Sequence, residues 1–207
     1  EIEAVLRTKF FPETFTPVLI TPKRNLPLTC QIEANSSPVP DGSGILNRLF
    51  FGKSIDERCP EKEVFTNVVD AFKYISDGHT FSISPLRDEQ NKLTLKFRTR
   101  SSSQSNWIEA DKCGLGLQDL LVILYFSVTP DNNIVLLEEP ENHLHPDMQR
   151  KLLAFLREQS DQIGKQFFIT THSNVFLDYA LIDKVFLTTY QEASKSIHVS
   201  DTTNKAF

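Results

Sequence analysis

The stretch IVLLEEPENHLHP, residues 134–146, sets carboxylates, an amide and imidazoles directly after a run of apolar residues. The apolar run reads as a buried strand, Asn133 to Leu137, and in an open parallel sheet ligands bind at the carboxyl ends of the strands. Glu138 and Glu139 are adjacent, so strand geometry points their side chains to opposite sides and gives them different jobs. One carboxylate can hold Mg2+, which takes oxygen ligands and keeps several waters. The other can orient and polarise an attacking water. The competing reading is a solvated, glutamate-rich turn after a core strand.

A second polar cluster closes the stretch FFITTHS, residues 167–173. His172 follows an apolar strand and is placed to hydrogen-bond a terminal phosphate or its attacking water. The plainer reading is a neighbour of a helix cap. A third feature is CGLGLQ, residues 113–118, ahead of an apolar helix. Glycines let a backbone approach a ligand, and a helix N-terminus offers N–H groups to an anion. Taken alone, such glycines also make ordinary tight turns. Glu141, His143 and His145 have the residue types of a transition-metal cluster. Lys96, Arg98 and Arg100 share one face of an expected strand and could meet a nucleic-acid backbone, with a solvated face as the alternative. Lys23-Arg24 is a smaller basic spot with the same alternative.

The elements that must position these residues alternate in the second half of the chain. A helix from Asp119 to Ser127, the strand at 133–137, a helix with Pro146 in its first turn, a strand at 166–170, a short helix and a last apolar strand from Asp183 to Thr189 follow one another. Continuous apolar strands between helices predict a mostly parallel sheet covered on both faces. The first half is richer in proline, serine and polar turns. It predicts a short strand at Pro17–Thr21, a loop at 34–44, an amphipathic helix from Glu61 to Ser76 and two strands around Phe81 and Leu93–Phe97. SSSQSN at 101–106 reads as a flexible link. The expected fold class is therefore α/β, a mostly parallel sheet flanked by helices with a mixed α+β portion before it.

The 207 residues are 40% apolar and 24% charged, ordinary for a globular protein with one sizeable core. A net charge of −5 gives no global attraction to nucleic acid. The apolar run Leu120–Val128 is about half the length of a bilayer span, so no membrane-spanning segment is expected. EIEAVLRTKFF at the start lacks the pattern of a signal peptide, and it begins without Met in mid-pattern, as a piece of something longer would. Cys30, Cys59 and Cys113 form no Cys-x-x-Cys spacing and read as free thiols of a cytoplasmic protein.

The order of the motifs, a glycine turn and helix, a strand ending in EEPE, then HLHP and a helix, then a strand ending in TTHS, resembles the C-terminal half of ABC-type ATPase heads of the SMC/RecF/OLD-like branch. About a third of the chain, residues 113–178, carries the resemblance, and EEPENHLHP is its most specific wording. It implies a P-loop NTPase fold with ATP and Mg2+ as cofactors. The implied division is a variable insertion or lobe at 1–112 and the signature, Walker B, D-loop and switch-histidine part at 113–207. It implies Glu138 on the metal side, Glu139 as the catalytic carboxylate and His172 as the switch histidine. Gly114, Leu115, Gly116 and Gln118 stand at the signature turn, and Asn142 and His143 in the D-loop region, all toward nucleotide. Implied partners are a second head in a homodimer, the Walker A half, and DNA. Two heads would sandwich two ATP molecules, the signature turn of one closing over the γ-phosphate held by the other.

Three departures from the family pattern are visible. The acidic pair is Glu-Glu where Asp-Glu is commoner, and the signature turn lacks the serine of many relatives. No Gly-x-x-x-x-Gly-Lys-Ser/Thr loop is present; Phe51-Gly52-Lys53-Ser54 comes nearest, with Asn47 where the first glycine belongs. The chain alone is accordingly expected to hydrolyse ATP negligibly. A rival expectation is a non-catalytic scaffold that keeps the ATPase shape.

Overall fold

The computed structural model describes residues 17–98, 107–192 and 195–202. The first half contributes β1 (Pro17–Ile20), β2 (Thr29–Gln31), α1 (Ile45–Ser54), α2 (Pro60–Ile75), β3 (Thr80–Pro85), β4 (Lys92–Arg98) and β5 (Ile108–Glu109). The second half contributes α3 (Leu115–Val128), β6 (Ile134–Glu138), α4 (Pro146–Ile163), β7 (Gln166–Thr170), β8 (Phe186–Gln191) and β9 (Ser196–Asp201). EIEAVLRTKFF, the SSSQSN link and Arg100 lie outside the described residues.

The central sheet is parallel, in the order β1–β6–β7. Val18 sits opposite Val135, and Glu138 opposite Thr170. Ile20, Val135 and Leu137 are fully or almost fully buried, as the apolar runs predict. Helix α3 lies against β6 and α2, and α4 against β7. Every residue of α3 from Gln118 to Val128 is buried, so this helix is covered on all sides and forms the middle of the core. The α/β class and the parallel sheet with flanking helices are as expected.

A second, antiparallel sheet, β2–β4–β3 with β5 added to β4, forms the lobe. Phe72 of α2 stacks on Phe97 of β4 at 5.8 Å and meets Phe81 of β3 edge-on at 5.2 Å, fastening helix to sheet. Helix α1 holds Phe51-Gly52-Lys53-Ser54, with Ile45, Leu46 and Leu49 buried beneath it. Gly52 faces α2 so closely that a Cβ would stand 2.6 Å from the Glu61 carbonyl. This glycine serves helix packing, and the segment is no phosphate-binding loop.

Four elements differ from the sequence expectation. Helix α3 starts at Leu115, four residues before Asp119, because Gly116 is tolerated in a first turn that the His143 backbone approaches closely. Strand β7 is covered on one face only: Phe167 and Ile169 are half-buried, whereas Phe168 is 45% exposed. The apolar strand β8 stands outside the parallel sheet and pairs antiparallel with β9, local pairing replacing the long crossover. The short helix after TTHS is a single 3-10 turn, Asn174–Leu177.

Lys165 closes the C-terminal end of α3, its ammonium donating to the carbonyls of Phe126 and Thr129. It is 3% exposed, and burial pushes its pKa down to about 8 against the pull of Asp131. The unfolded chain therefore holds this proton more tightly than the native one. Burying the charged form costs stability below pH 8, and the cost is relieved as pH rises from about 8 toward 10.5. In urea unfolding of the chain, the free-energy difference between wild type and Lys165→Met should change across that window by at most about 1.4 kcal/mol per pH unit. A pH-independent difference would show that Lys165 is not held in this way.

Candidate active site

Strand β6 stops at Glu138 because the next residue leaves extended geometry: Glu139 has φ 44° and His143 has φ 60°. Left-handed conformations at residues with a Cβ cost about 1–2 kcal/mol each and persist only where surrounding bonds fix them. The fixing bonds are present. The Glu139 amide donates to the Thr170 carbonyl at 2.9 Å, and the Asn142 and Leu144 amides return to the carbonyls of Glu139 and Glu141. Asn142 Nδ2 donates to Glu139 Oε2 at 3.0 Å, which orients that carboxylate.

Polar side chains tie this turn to its neighbours. Glu141 Oε1 accepts from the His172 backbone amide at 2.7 Å, linking the ends of β6 and β7. Ser173 Oγ donates to Gln149 Oε1 at 2.7 Å, and Gln149 Nε2 donates to the Leu144 carbonyl at 2.9 Å. On the other side, His143 Nδ1 is 2.8 Å from Asp119 Oδ2 on α3. Gly116 is required there: a Cβ would stand 2.3 Å from the His143 carbonyl oxygen, so the first turn of α3 is pressed against the turn after β6. Gly114, by contrast, is extended at the N-cap, with nothing within 4 Å of an added Cβ. Leu115 beside it is 54% exposed. Gln118 is buried and donates to the Ala110 carbonyl at 2.9 Å, holding the turn that precedes α3.

The structure thus gathers Glu138, Glu139, Asn142, His143 and Gly116 into one cluster at the carboxyl end of β6, with His172 tied to it through its backbone. The His172 side chain is exposed. Glu141, His143 and His145 are not a metal cluster: they engage the His172 amide, Asp119 and the Asp147 amide respectively, His145 acting as the N-cap of α4. Among the described residues no group of three or more His, Cys, Asp and Glu side chains is disposed to hold a metal ion. The donor chemistry at Glu138, a half-buried carboxylate at a strand end, fits Mg2+, which binds one or two carboxylates and completes its shell with water and phosphate oxygens.

Three charged residues take part in the site in ways the sequence did not suggest: Asp119, Glu141 in its linking role, and Arg24, expected only as part of a basic spot. Arg24 is not on a solvated spot. Its side chain is fully buried and Nη2 donates to the Glu138 carbonyl at 2.6 Å. The one sequence signal that bears on it is its place just after a buried strand, at the same sheet end as Glu138. A groove of about 720 Å3 between α2 and α4, lined by Glu63, Asp70, Tyr74, Phe155 and Lys165 among others, lies near the start of β6 and shares no residue with the cluster.

A parallel sheet flanked by helices, with carboxylates and glycines meeting at the strand ends, is an arrangement that P-loop NTPases use. The chain belongs to the AAA ATPase domain family, whose model matches residues 51–177. It is 31% identical over 113 residues to an OLD nuclease of Thermus scotoductus, covering 53% of this chain and 20% of the relative. It is 27% identical over 142 residues to the endonuclease GajA of Bacillus cereus, covering 51% and 21%. The chain therefore spans about a fifth of the length of these curated relatives. Among solved structures, one from work on ATP-driven dimerization and DNA-stimulated activation of SMC ATPases superposes with a TM-score of 0.55 at 13% identity, covering 74% of this chain and 88% of that one. The Smc head domain of Pyrococcus yayanosii superposes with a TM-score of 0.51 at 15% identity, covering 68% and 26%. The resemblance to SMC/OLD-like ATPases is borne out by these matches. No helix among the described residues is long and apolar enough to cross a membrane.

Proposed function

We propose that the chain is the Walker B side of an ABC-type, SMC/OLD-like ATPase head, which binds and hydrolyses ATP once joined to a phosphate-binding half and closed against a second head. The observation that carries this reading is the oriented Glu139 carboxylate, held by Asn142 in a left-handed turn at the end of the central strand, with the α3 N-terminal turn packed alongside. Residues 113–207 supply the signature turn, Walker B, D-loop and switch histidine, and residues 1–112 the variable lobe together with β1 of the central sheet.

In this mechanism Glu139 accepts a proton from the attacking water and aims it. Glu138 is the carboxylate toward Mg2+, which when bound supplies charge neutralisation to the phosphates. His172 faces the γ-phosphate or its water. Gly114, Leu115 and Gly116 present the amide end of α3 to the nucleotide of the partnering head, while Asn142, His143 and Gln118 hold the two turns in shape. With no serine in the signature turn, these amides carry the trans contact. Among the described residues β7 is an edge strand of the parallel sheet, and that edge suits a further parallel strand from the phosphate-binding half.

Two of the relatives are named as nucleases and the structural neighbour's work concerns DNA-stimulated ATPases, which supports a DNA-handling or defence role for the parent protein. The test is phosphate release from ATP by the purified parent protein and by residues 1–207 alone, each with Mg2+. Turnover by the parent and negligible turnover by the chain alone are expected; robust, Glu139-dependent turnover by the isolated chain would overturn the proposal.

A further inference from the structure

Among the described residues, Arg24 is the one buried guanidinium whose donors reach the carboxyl end of β6. It follows β1, and its side chain is 0% exposed. Nη2 donates to the carbonyls of Glu138 at 2.6 Å and Glu139 at 3.3 Å. Nη1 stands 4.0 Å from Asp119 Oδ2, the oxygen that also holds His143 Nδ1 at 2.8 Å. Among the described residues Nε and Nη1 meet no hydrogen-bond acceptor, and the buried Glu141 Oε2 nearby meets no donor. Burial lowers the Arg24 pKa, and the charges of Asp119, Glu141 and Glu139 oppose that shift.

A buried, incompletely bonded ion pair is a poor device for stability, because desolvation offsets most of its attraction. Its position gives another reason for it. Arg24 grips the carbonyls on either side of the bond where the strand turns left-handed, and Asp119 grips His143, the other left-handed residue of the same turn. Asp119 lies one helical turn beyond Gly116, whose Cα is pressed against the His143 carbonyl. These contacts form one continuous chain from the first turn of α3, through Asp119, to His143 and to Arg24 at the Glu139 backbone.

We infer that Arg24 and Asp119 are positioning residues, a buried strut that couples the signature turn of α3 to the Glu138–Glu139 turn and sets the Glu139 carboxylate for its reaction. The inference rests on the ATPase reading above. Neither residue touches nucleotide in that reading, so both act through Glu139.

The test uses the full-length parent protein with ATP and Mg2+, comparing wild type, Glu139→Gln, Asp119→Asn, Arg24→Lys and the Asp119→Asn/Arg24→Lys double variant. Each single strut variant is expected to lower kcat by about 10- to 100-fold, with KM for ATP within about threefold of wild type. The double variant is expected to be no slower than the worse single one, because both act through one strut. Wild-type kcat in Asp119→Asn, a rise in KM at unchanged kcat, or losses that multiply in the double variant would overturn the strut while leaving the ATPase reading intact. Should Arg24→Lys fail to fold, Asp119→Asn alone decides. Wild-type turnover indifferent to Glu139→Gln would overturn the ATPase reading and the strut together.

Discussion

Glu139→Gln in the full-length parent protein is expected to lower ATP turnover by about 100- to 10,000-fold while leaving ATP binding within a few-fold of wild type. The substitution removes a negative charge and a proton acceptor and keeps the size of the side chain. The Asn142 amide still finds an acceptor at the position of Glu139 Oε2, so the left-handed turn keeps its bond. The backbone links from Glu139 to Thr170 and from Arg24 to the Glu139 carbonyl do not involve the carboxylate at all. The loss therefore falls on the chemical step. Rapid-quench phosphate release and equilibrium nucleotide binding separate the two quantities. Equal loss of binding and turnover would mean that Glu139 serves the ground state, and retained turnover would mean that another group handles the water.

Gly114→Asp is expected to silence turnover for a different reason. An added Cβ at Gly114 meets nothing within 4 Å, and an acidic residue at a helix N-cap favours the helix, so the fold should be unharmed. What changes is the charge facing outward from the α3 N-terminus. Against a γ-phosphate about 5 Å away, at an effective dielectric near 20, one added negative charge costs about 3 kcal/mol, or roughly a hundredfold in rate. Melting temperature and kcat measured together check this. An unchanged melting curve with a collapsed kcat is the expected pair; wild-type kcat would place the α3 N-terminus away from nucleotide.

Local signals were the legible ones. Residues Ile134–Glu138 read as a strand because a short apolar run with β-branched residues meets a polar stop, and α4 read as a helix because Pro146 suits its first turn. The hairpin of β3 and β4 and the amphipathic face of α2 followed from their periods in the same way. The cluster of Glu138, Glu139, Asn142 and His143 was visible because one turn carries it. Its supports were not: Arg24 bonds a carbonyl 114 residues away, and Asp119 meets His143 across 24 residues, so nothing nearby marks either as buried. Strand β8 misled because its apolar side chains match a core strand, while its local antiparallel pairing with β9 is not encoded in composition. Phe168 was expected to be covered because parallel sheets usually are, and in the described residues β7 pairs only with β6.

In the proposed ATPase the nucleotide site is shared between two heads, with Glu139 supplied by one and the Gly114 end of α3 by the other. This sharing is tested most directly by co-expressing full-length parent chains that carry Glu139→Gln and Gly114→Asp under different tags, purifying the mixed assembly and measuring phosphate release. Each homomeric variant should be nearly inactive. The mixed assembly retains one site built from an intact Glu139 and an intact Gly114, and should recover turnover well above either variant. A mixed assembly as inactive as the two homomers would contradict a site built across two heads.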